Sequence, residues 1–315
     1  MTDPAHGEVT IETVTGPVGF DGFTSALAHE HLFVDFLGPD HPEYCQVDWR
    51  EVRIECLERL DSVRRAGVDL LVDCTGIGIG RNVDLLRDVS TSSGIRIVCA
   101  TGIYKSLRPP ELVEATIEEL ADLFVRELTI GVAGTDVRAG FIKLATTDAG
   151  PTAEETLIHR AGAMAAVATG SAIVLHSLRA EAAEAVLEGM EREGFDPTRL
   201  IWAHAQESTL EENLALASRG VAISLDAIGT SDDREMLDRI EQLVAAGAGD
   251  RVVVSSDSSL VVHPVELAYE RDIGYLPRTF GPKVEERFGR ALREALTRDN
   301  VFRRVGCERD VVHER

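Results

Sequence analysis

The fold this sequence predicts is an eight-stranded α/β barrel, a (β/α)8 TIM barrel with an N-terminal β-hairpin cap. Three observations lead there. Short apolar runs rich in valine and isoleucine alternate with longer amphipathic stretches, the pattern of a parallel sheet covered by helices. Eight such runs occur in 315 residues, the repeat number of a closed barrel in a chain of this size. Residues able to hold a metal recur at the ends of these runs, where a barrel gathers its functional loops.

Residues 8–20 come first. Their alternating apolar positions, broken by Thr15-Gly16-Pro17, predict a hairpin that caps the bottom of the barrel. Strand one covers 25–33 and is followed by a helix over 50–66. Strand two, 69–74, runs into Gly76-Ile77-Gly78-Ile79-Gly80. That stretch reads as a flexible βα loop rather than a phosphate turn, because it follows the second strand and no Lys-Ser/Thr pair comes after it. The alternation continues with helix 81–91, strand 95–101, helix 110–129, strand 138–144, helix 152–168, strand 171–176 and helix 180–193. It closes with strand 199–204, helix 209–218, strand 220–225, helix 232–246, strand 251–256 and helix 284–297. A doubly wound sheet is the structural alternative, but its Gly-rich turn after the first strand is missing. No linker, repeat or low-complexity tract divides the chain, so residues 1–315 are expected to form one domain.

Charge narrows the function classes. Lys+Arg number 32 against Asp+Glu 54, a net charge of −22. Such a surface repels phosphate backbones and anionic lipid heads, which argues against nucleic-acid or membrane partners. Five scattered cysteines, odd in number and without a CxxC pair, fit a reducing compartment. Residues 1–15 are polar with no apolar signal core, and a cytoplasmic location is expected.

The chemistry-bearing residues stand at the strand ends. His29 and His31 lie in Ala26-Leu27-Ala28-His29-Glu30-His31, where spacing i, i+2 puts both imidazoles on one face and turns Glu30 away. Lys143, His176, His204 and Asp257 follow at later strand ends. Imidazoles with a carboxylate suit zinc first, then cobalt, manganese or iron. Four histidines and an aspartate exceed what one catalytic zinc needs, which points to two metals. Each residue also has a bland reading: a strand histidine can be a satisfied core residue, and Asp257 a turn or cap. Lys143 resists one, since a lysine between Phe141-Ile142 and Leu144-Ala145 costs desolvation unless paired or neutralised. The ordered set argues against coincidence.

The order HxH, Lys, His, His, Asp resembles the phosphotriesterase family of the amidohydrolase superfamily. Gly16-Pro17, Gly22-Phe23-Thr24 and Ala28-His29-Glu30-His31 are similar to that family's opening. Ala100-Thr101-Gly102-Ile103-Tyr104, Phe141-Ile142-Lys143 and Trp202-Ala203-His204 resemble its later strand ends, and Arg298-Asp299-Asn300 with Phe302 its closing helix. The resemblance implies a metal-dependent hydrolase with two divalent ions and a CO2-derived carbamate on Lys143 as bridging ligand. It implies His29, His31 and Asp257 at an inner metal, His176 and His204 at an outer one, and a bridging hydroxide as nucleophile. Asp257 would accept the proton, and Tyr104 would help to orient substrate.

The same resemblance implies a small-molecule ester or lactone as substrate, with a homodimer compatible. Ala227, in Ser224-Leu225-Asp226-Ala227-Ile228-Gly229, stands where related lactonases often carry arginine; the Asp-x-Ile-Gly form is more like relatives acting on sugar lactones, some phosphorylated. Lys105, Arg108 and Arg278 are the loop cations available for a phosphate. Tyr269, Tyr275-Leu276-Pro277 and Phe280-Gly281-Pro282 are expected to cover the pocket. Phosphotriester hydrolysis is the second expectation, and a non-catalytic barrel that binds a metal or ligand the third.

Overall fold

The computed structural model describes residues 9–268 and 271–308. Eight parallel strand positions form the barrel wall. They are β3 (Ala26–Asp35), β4 (Leu70–Asp73), the interrupted pair β5 (Arg96–Val98) and β6 (Ala100–Thr101), β7 (Phe141–Ala145), β8 (Ile173–His176), β9 (Leu200–Ala203) and β10 (Ala222–Leu225). The eighth position is shared by β11 (Val252–Val254) and β12 (Ser259–His263). β6 to β11 pair in order, as do β5, β4, β3 and β12. The third strand is one run broken at Cys99, whose carbonyl accepts from Gly140 N. At the other seam β11 pairs with β10, Asp257 N donates to His29 O at 3.0 Å and His31 N to Ser258 O at 2.8 Å, and β12 then pairs with β3 from Ser259/His31 to His263/Asp35.

Helices α1 (Trp49–Arg65), α2 (Val83–Ser93), α3 (Ile117–Thr129), α4 (Ala153–Thr169), α5 (Ala180–Glu191), α6 (Leu210–Ser218) and α7 (Asp233–Ala245) alternate with the strands. Three of them start at a Thr-x-x-Glu capping box: Thr116/Glu119, Thr152/Glu155 and Thr209/Glu212. The first box explains why the helix expected from 110 begins at Ile117, with Pro110–Leu112 a separate 3-10 turn. The last expected helix, 284–297, is a broken run. It comprises α8 (Gly281–Phe288), a break at Gly289 with φ +88°, α9 (Arg290–Glu294), a π turn at Ala295–Asp299 and α10 (Asn300–Val305).

The hairpin β1 (Val9–Thr13) and β2 (Gly16–Val18) lies at the bottom as expected; the expected Glu8 start falls outside the described residues. Ile11 and Val18 join Phe23, Val98, Phe141, Val301 and Val305 in one apolar cluster that fills the barrel from below. A third strand, β13 (Cys307–Glu308), pairs antiparallel with β1 and was not anticipated. The glycine loop after β4 packs closely: a Cβ on Gly78 would meet Leu107 O at 2.2 Å, and Ile77 bridges to Ile103. Its glycines therefore serve close approach, where the sequence suggested flexibility.

Arg304 secures the lower rim. Buried, it donates to Thr198 O and Gly220 O through Nη1 and to Asp250 O through Nη2, carbonyls that lie just before or within reach of three successive strands. Arg304→Met strands those carbonyls in a dry setting and is expected to lower stability by about 2 kcal/mol. Urea unfolding checks this as a shift in midpoint at unchanged slope.

Candidate metal centre

All six ligand candidates meet at the upper mouth of the barrel. They line one cavity of about 190 Å³ together with Val34, Phe36, Ile79, Tyr104 and Ser259. His29 and His31 alternate along β3, while Lys143 sits in the middle of β7, 1% exposed, rather than at its end. His176 ends β8. His204 follows β9 and Asp257 follows β11, both in the left-handed region at φ +66° and +48°. A non-glycine residue there carries strain on the order of 1–3 kcal/mol, kept only where surrounding contacts over-determine it. Asp226 supplies them at His204, taking its N–H on both oxygens at 3.1 Å.

The hydrogen bonds fix which ring nitrogens face the centre. Asp226 Oδ2 lies 2.9 Å from His29 Nδ1 and Oδ1 lies 2.8 Å from His204 Nδ1, so both histidines donate there and present Nε2 lone pairs. Thr75 Oγ1 gives its hydrogen to Phe33 O at 3.3 Å, and so accepts from His31 Nδ1 at 2.9 Å, which leaves His31 Nε2 bare. Tyr104 OH lies 3.3 Å from His176 Nε2, and His176 Nδ1 lies 2.6 Å from His204 Nε2. His204 Nε2 thus presents its lone pair to His176 Nδ1; if Tyr104 accepts from His176 Nε2, both facing atoms are lone pairs and suit a cation, and if Tyr104 donates, His176 Nδ1–H donates to His204.

The residues separate into two groups. His29 Nε2 and His31 Nε2 lie 3.5 and 3.3 Å from Asp257 Oδ1. His176 Nδ1 and His204 Nε2 form the other group. Lys143 Nζ stands 3.1 Å from His29 Nε2, and no carboxylate lies within 4.0 Å of it among the described residues. His29, His204 and Asp226 also lie close enough to bind one ion. Asp226 is better read as their holder, because both of its oxygens are already occupied by Nδ1–H donors.

The electrostatics push His29 and His176 toward the neutral imidazole, whereas His204 is raised, its burial outweighed by the Asp226 carboxylate. Burial, reinforced by the Lys143 ammonium, lowers His29 to about 4. Burial likewise holds His176 well below its ordinary range, helped by His204, Lys143 and Lys105. Burial alone would raise Asp226 and Asp257, but His204 and His29 hold the former well below the carboxylate range, and His29, His31 and His204 do the same for the latter. Glu30 is turned out of the cavity as its i, i+1 position requires. Its carboxylate accepts from Ser255 Oγ, Ser256 N and Ser258 N beneath the β11–β12 break, although burial pushes it up to about 8.

Asp226, Thr75 and Arg271 were not singled out as site residues. Asp226 carried a signal, an acid ending the one late strand with no assigned ligand. Arg271 carried none; its Nη1 donates to Asp257 Oδ2 and O at 2.9 Å and Ser256 O at 2.8 Å, fixing the carboxylate from outside. Two expectations fail. Tyr275, Leu276 and Phe280 do not line the cavity: Tyr275 OH donates to Asp233 Oδ2 of α7, and Leu276 and Phe280 are buried in the helical layer. Tyr269 lies outside the described residues. Arg108 and Arg278 are engaged by Glu154 and Asp272.

Gly102 places Tyr104. At φ +95°, any Cβ on it would meet Lys143 O at 2.2 Å, so the loop after β6 passes directly over β7 before turning to present the phenol. An Asp226→Asn side chain keeps the volume but offers a donor to one of two donating Nδ1–H groups. Metal affinity is expected to fall 10- to 100-fold. Titration of the apoprotein with zinc measures this, and unchanged affinity would remove Asp226 from the role given to it here.

Residues 9–288 match the phosphotriesterase family. Among curated relatives, the "Phosphotriesterase homology protein" of Escherichia coli K12 is 29% identical over 291 residues, 90% of this chain and 98% of that one. The "Aryldialkylphosphatase" of Saccharolobus solfataricus is 30% identical over 253 residues, 75% and 76% of the two chains. The "N-acetyltaurine hydrolase" of Tetraodon nigroviridis is 26% identical over 291 residues, 78% and 83%. A solved protein engineered for organophosphate hydrolysis from a weak promiscuous lactonase template superposes with a TM-score of 0.82 at 27% identity, covering 94% of this chain and all of that one. The barrel and its sequence together place this chain in the phosphotriesterase family of hydrolases.

Proposed function

We propose that this chain is a binuclear-metal hydrolase of a small carboxylic ester, with a lactone as its preferred form. The observation that carries the reading is the convergence of four imidazoles, Lys143 and Asp257 on one cavity. His29, His31 and Asp257 would hold one cation, His176 and His204 the other, with Lys143 between them as a carbamate. Carboxylation suits Lys143, because it would replace with an anion a buried ammonium that has no carboxylate within 4.0 Å among the described residues. Two divalent ions bound there would supply Lewis acidity, activating water and polarising the scissile oxygen.

The chain's own residues do the remaining work. Asp257 is the base: Oδ1 faces the cavity between His29 and His31, and Arg271 donates to Oδ2 and fixes the plane of the carboxylate. Tyr104 OH, beside His176, is placed to donate to a substrate oxygen. Val34, Phe36 and Ile79 exclude water from the wall. The cavity volume supports a small substrate, since it falls below the roughly 300–1,000 Å³ of drug-sized pockets. That favours a lactone ring over a triester with three substituents. Phosphotriester hydrolysis is the second reading, supported by the relative named aryldialkylphosphatase, and the N-acetyltaurine hydrolase name adds a small amide to the candidates.

Elemental analysis of protein purified without chelator is expected to give about two divalent ions per chain; less than one would sink the two-metal reading. Lys143→Ala is expected to lose most of that metal together with turnover. In a panel of plain lactones, sugar lactones, aryl phosphotriesters and N-acetyl amides, lactones should show the highest kcat/KM. Fast triester turnover without lactone turnover reverses the ranking.

A further inference from the structure

Glu30 stands between two metal-ligand candidates and takes no part in the mechanism above. It is wholly buried and forms no ion pair among the described residues. Its oxygens accept from three groups: Ser255 Oγ at 2.7 Å and Ser256 N at 3.0 Å on Oε1, and Ser258 N at 2.6 Å on Oε2. A carboxylate without a cation is costly to bury, and an apolar side chain would suit a position turned away from the cavity better. A neutral amide could not replace it, having one acceptor oxygen and an NH2 that would face the second N–H. Two acceptor oxygens side by side are what the position demands.

Those oxygens hold the peptides on either side of Asp257. Asp257 is left-handed at φ +48°, in the gap between β11, which ends at Val254, and β12, which starts at Ser259. No strand ladder fixes the chain there, yet all six backbone polar groups of residues 256–258 are engaged. Glu30 takes the N–H groups of Ser256 and Ser258. Asp257 N donates to His29 O at 3.0 Å, and His31 N to Ser258 O at 2.8 Å. Arg271 Nη1 donates to Ser256 O at 2.8 Å and Asp257 O at 2.9 Å. Four of the six partners thus come from the three consecutive residues 29–31 of β3. Contacts of this kind are what keep an unfavourable backbone conformation in place. From this turn Asp257 Oδ1 reaches 3.5 and 3.3 Å from His29 and His31 Nε2, and a rotation of the turn would carry it away from both. A misplacement of about 1 Å at a reacting group can cost on the order of 100-fold in rate.

We propose that Glu30 is a positioning residue for the reaction at this centre: it acts through Asp257, bracketing the turn that aims the Asp257 carboxylate into the cavity. The inference rests on the hydrolase reading above and adds a residue to its machinery. One stretch of β3 then does two jobs. Its inward side chains, His29 and His31, offer ligands, and its outward side chain sets the backbone of the base that stands beside them.

The test uses Glu30→Gln, which keeps the volume but loses one arm of the bracket. With excess zinc, and with occupancy checked by elemental analysis, the variant is expected to lose about 10- to 100-fold in kcat on the best substrate of the panel, with KM little changed. A double-mutant cycle identifies the residue it acts through. In an Asp257→Asn background Glu30→Gln should cost no further kcat, whereas its effect should add to that of Tyr104→Phe on the other side of the cavity. Wild-type kcat with only a lowered urea midpoint would make Glu30 purely structural and overturn the proposal. So would a loss that adds fully to that of Asp257→Asn. If Glu30→Gln does not fold, Glu30→Asp takes the same measurements, since it keeps the charge but is one methylene too short to reach both N–H groups. If wild type turns over no substrate, the hydrolase reading fails separately, and cobalt titration followed by absorption still tests the residue. About tenfold weaker binding of one of the two ions by Glu30→Gln upholds the proposal, and titrations identical to wild type overturn it.

Discussion

The arrangement of this site depends on one buried carboxylate. Asp226, wholly enclosed, receives the Nδ1–H groups of His29 and His204 and the backbone N–H of His204. Those histidines belong to strands on different sides of the barrel and to different halves of the centre. A single anion therefore sets both tautomers, aims both Nε2 lone pairs inward and holds a strained backbone after β9. Three donors directed at one carboxylate also explain how it stays ionised where burial alone would neutralise it. Replacing it by a neutral acceptor removes the common reference to which the two halves are aligned.

Around that fixed point, the loops supply precision through backbone shape. His204 and Asp257 both occupy left-handed conformations immediately beyond their strands. Gly102 lets the third loop cross β7 at a separation no other residue permits, which delivers Tyr104 to His176. The wall supports these departures: β9, which His204 leaves, is paired on both sides, and β11 and β6 are each paired on one. Arg271 completes the pattern from the eighth loop by holding Asp257 Oδ2 and leaving Oδ1 toward the cavity.

Much of this was legible in the chain because periodicity and cost are local properties. The His29–His31 pair follows from strand alternation, and Lys143 stands out because a lysine amid apolar neighbours has no inexpensive structural use. Eight alternating runs were enough to give the barrel. What stayed hidden depends on long-range partners. Asp226 reads equally well as a turn residue until its two histidines, 197 and 22 residues away, are seen on it. Arg108 and Glu154 are 46 residues apart, so nothing local showed that this cation was already taken. The aromatics of 275–280 were apolar as read, but hydrophobicity does not say whether a segment faces the cavity or the helical layer, and they face the latter. The break in the eighth strand was missed for the same reason: Ser255 to Ser258 look like a turn, and only Glu30 beneath them shows why the strand resumes.

That break has a consequence for how the molecule comes together. The ring closes where Asp257 N meets His29 O and His31 N meets Ser258 O, over Glu30 holding Ser255, Ser256 and Ser258 across 225 to 228 residues of chain. These are among the longest sequence separations in the fold and carry a high loop-closure entropy. The seam and the reactive centre share the same peptides, so a nascent or partly opened chain has neither. The convergence of His29, His31 and Asp257 is thereby confined to the finished ring, and an ion joining them would act as a clasp on the circumference.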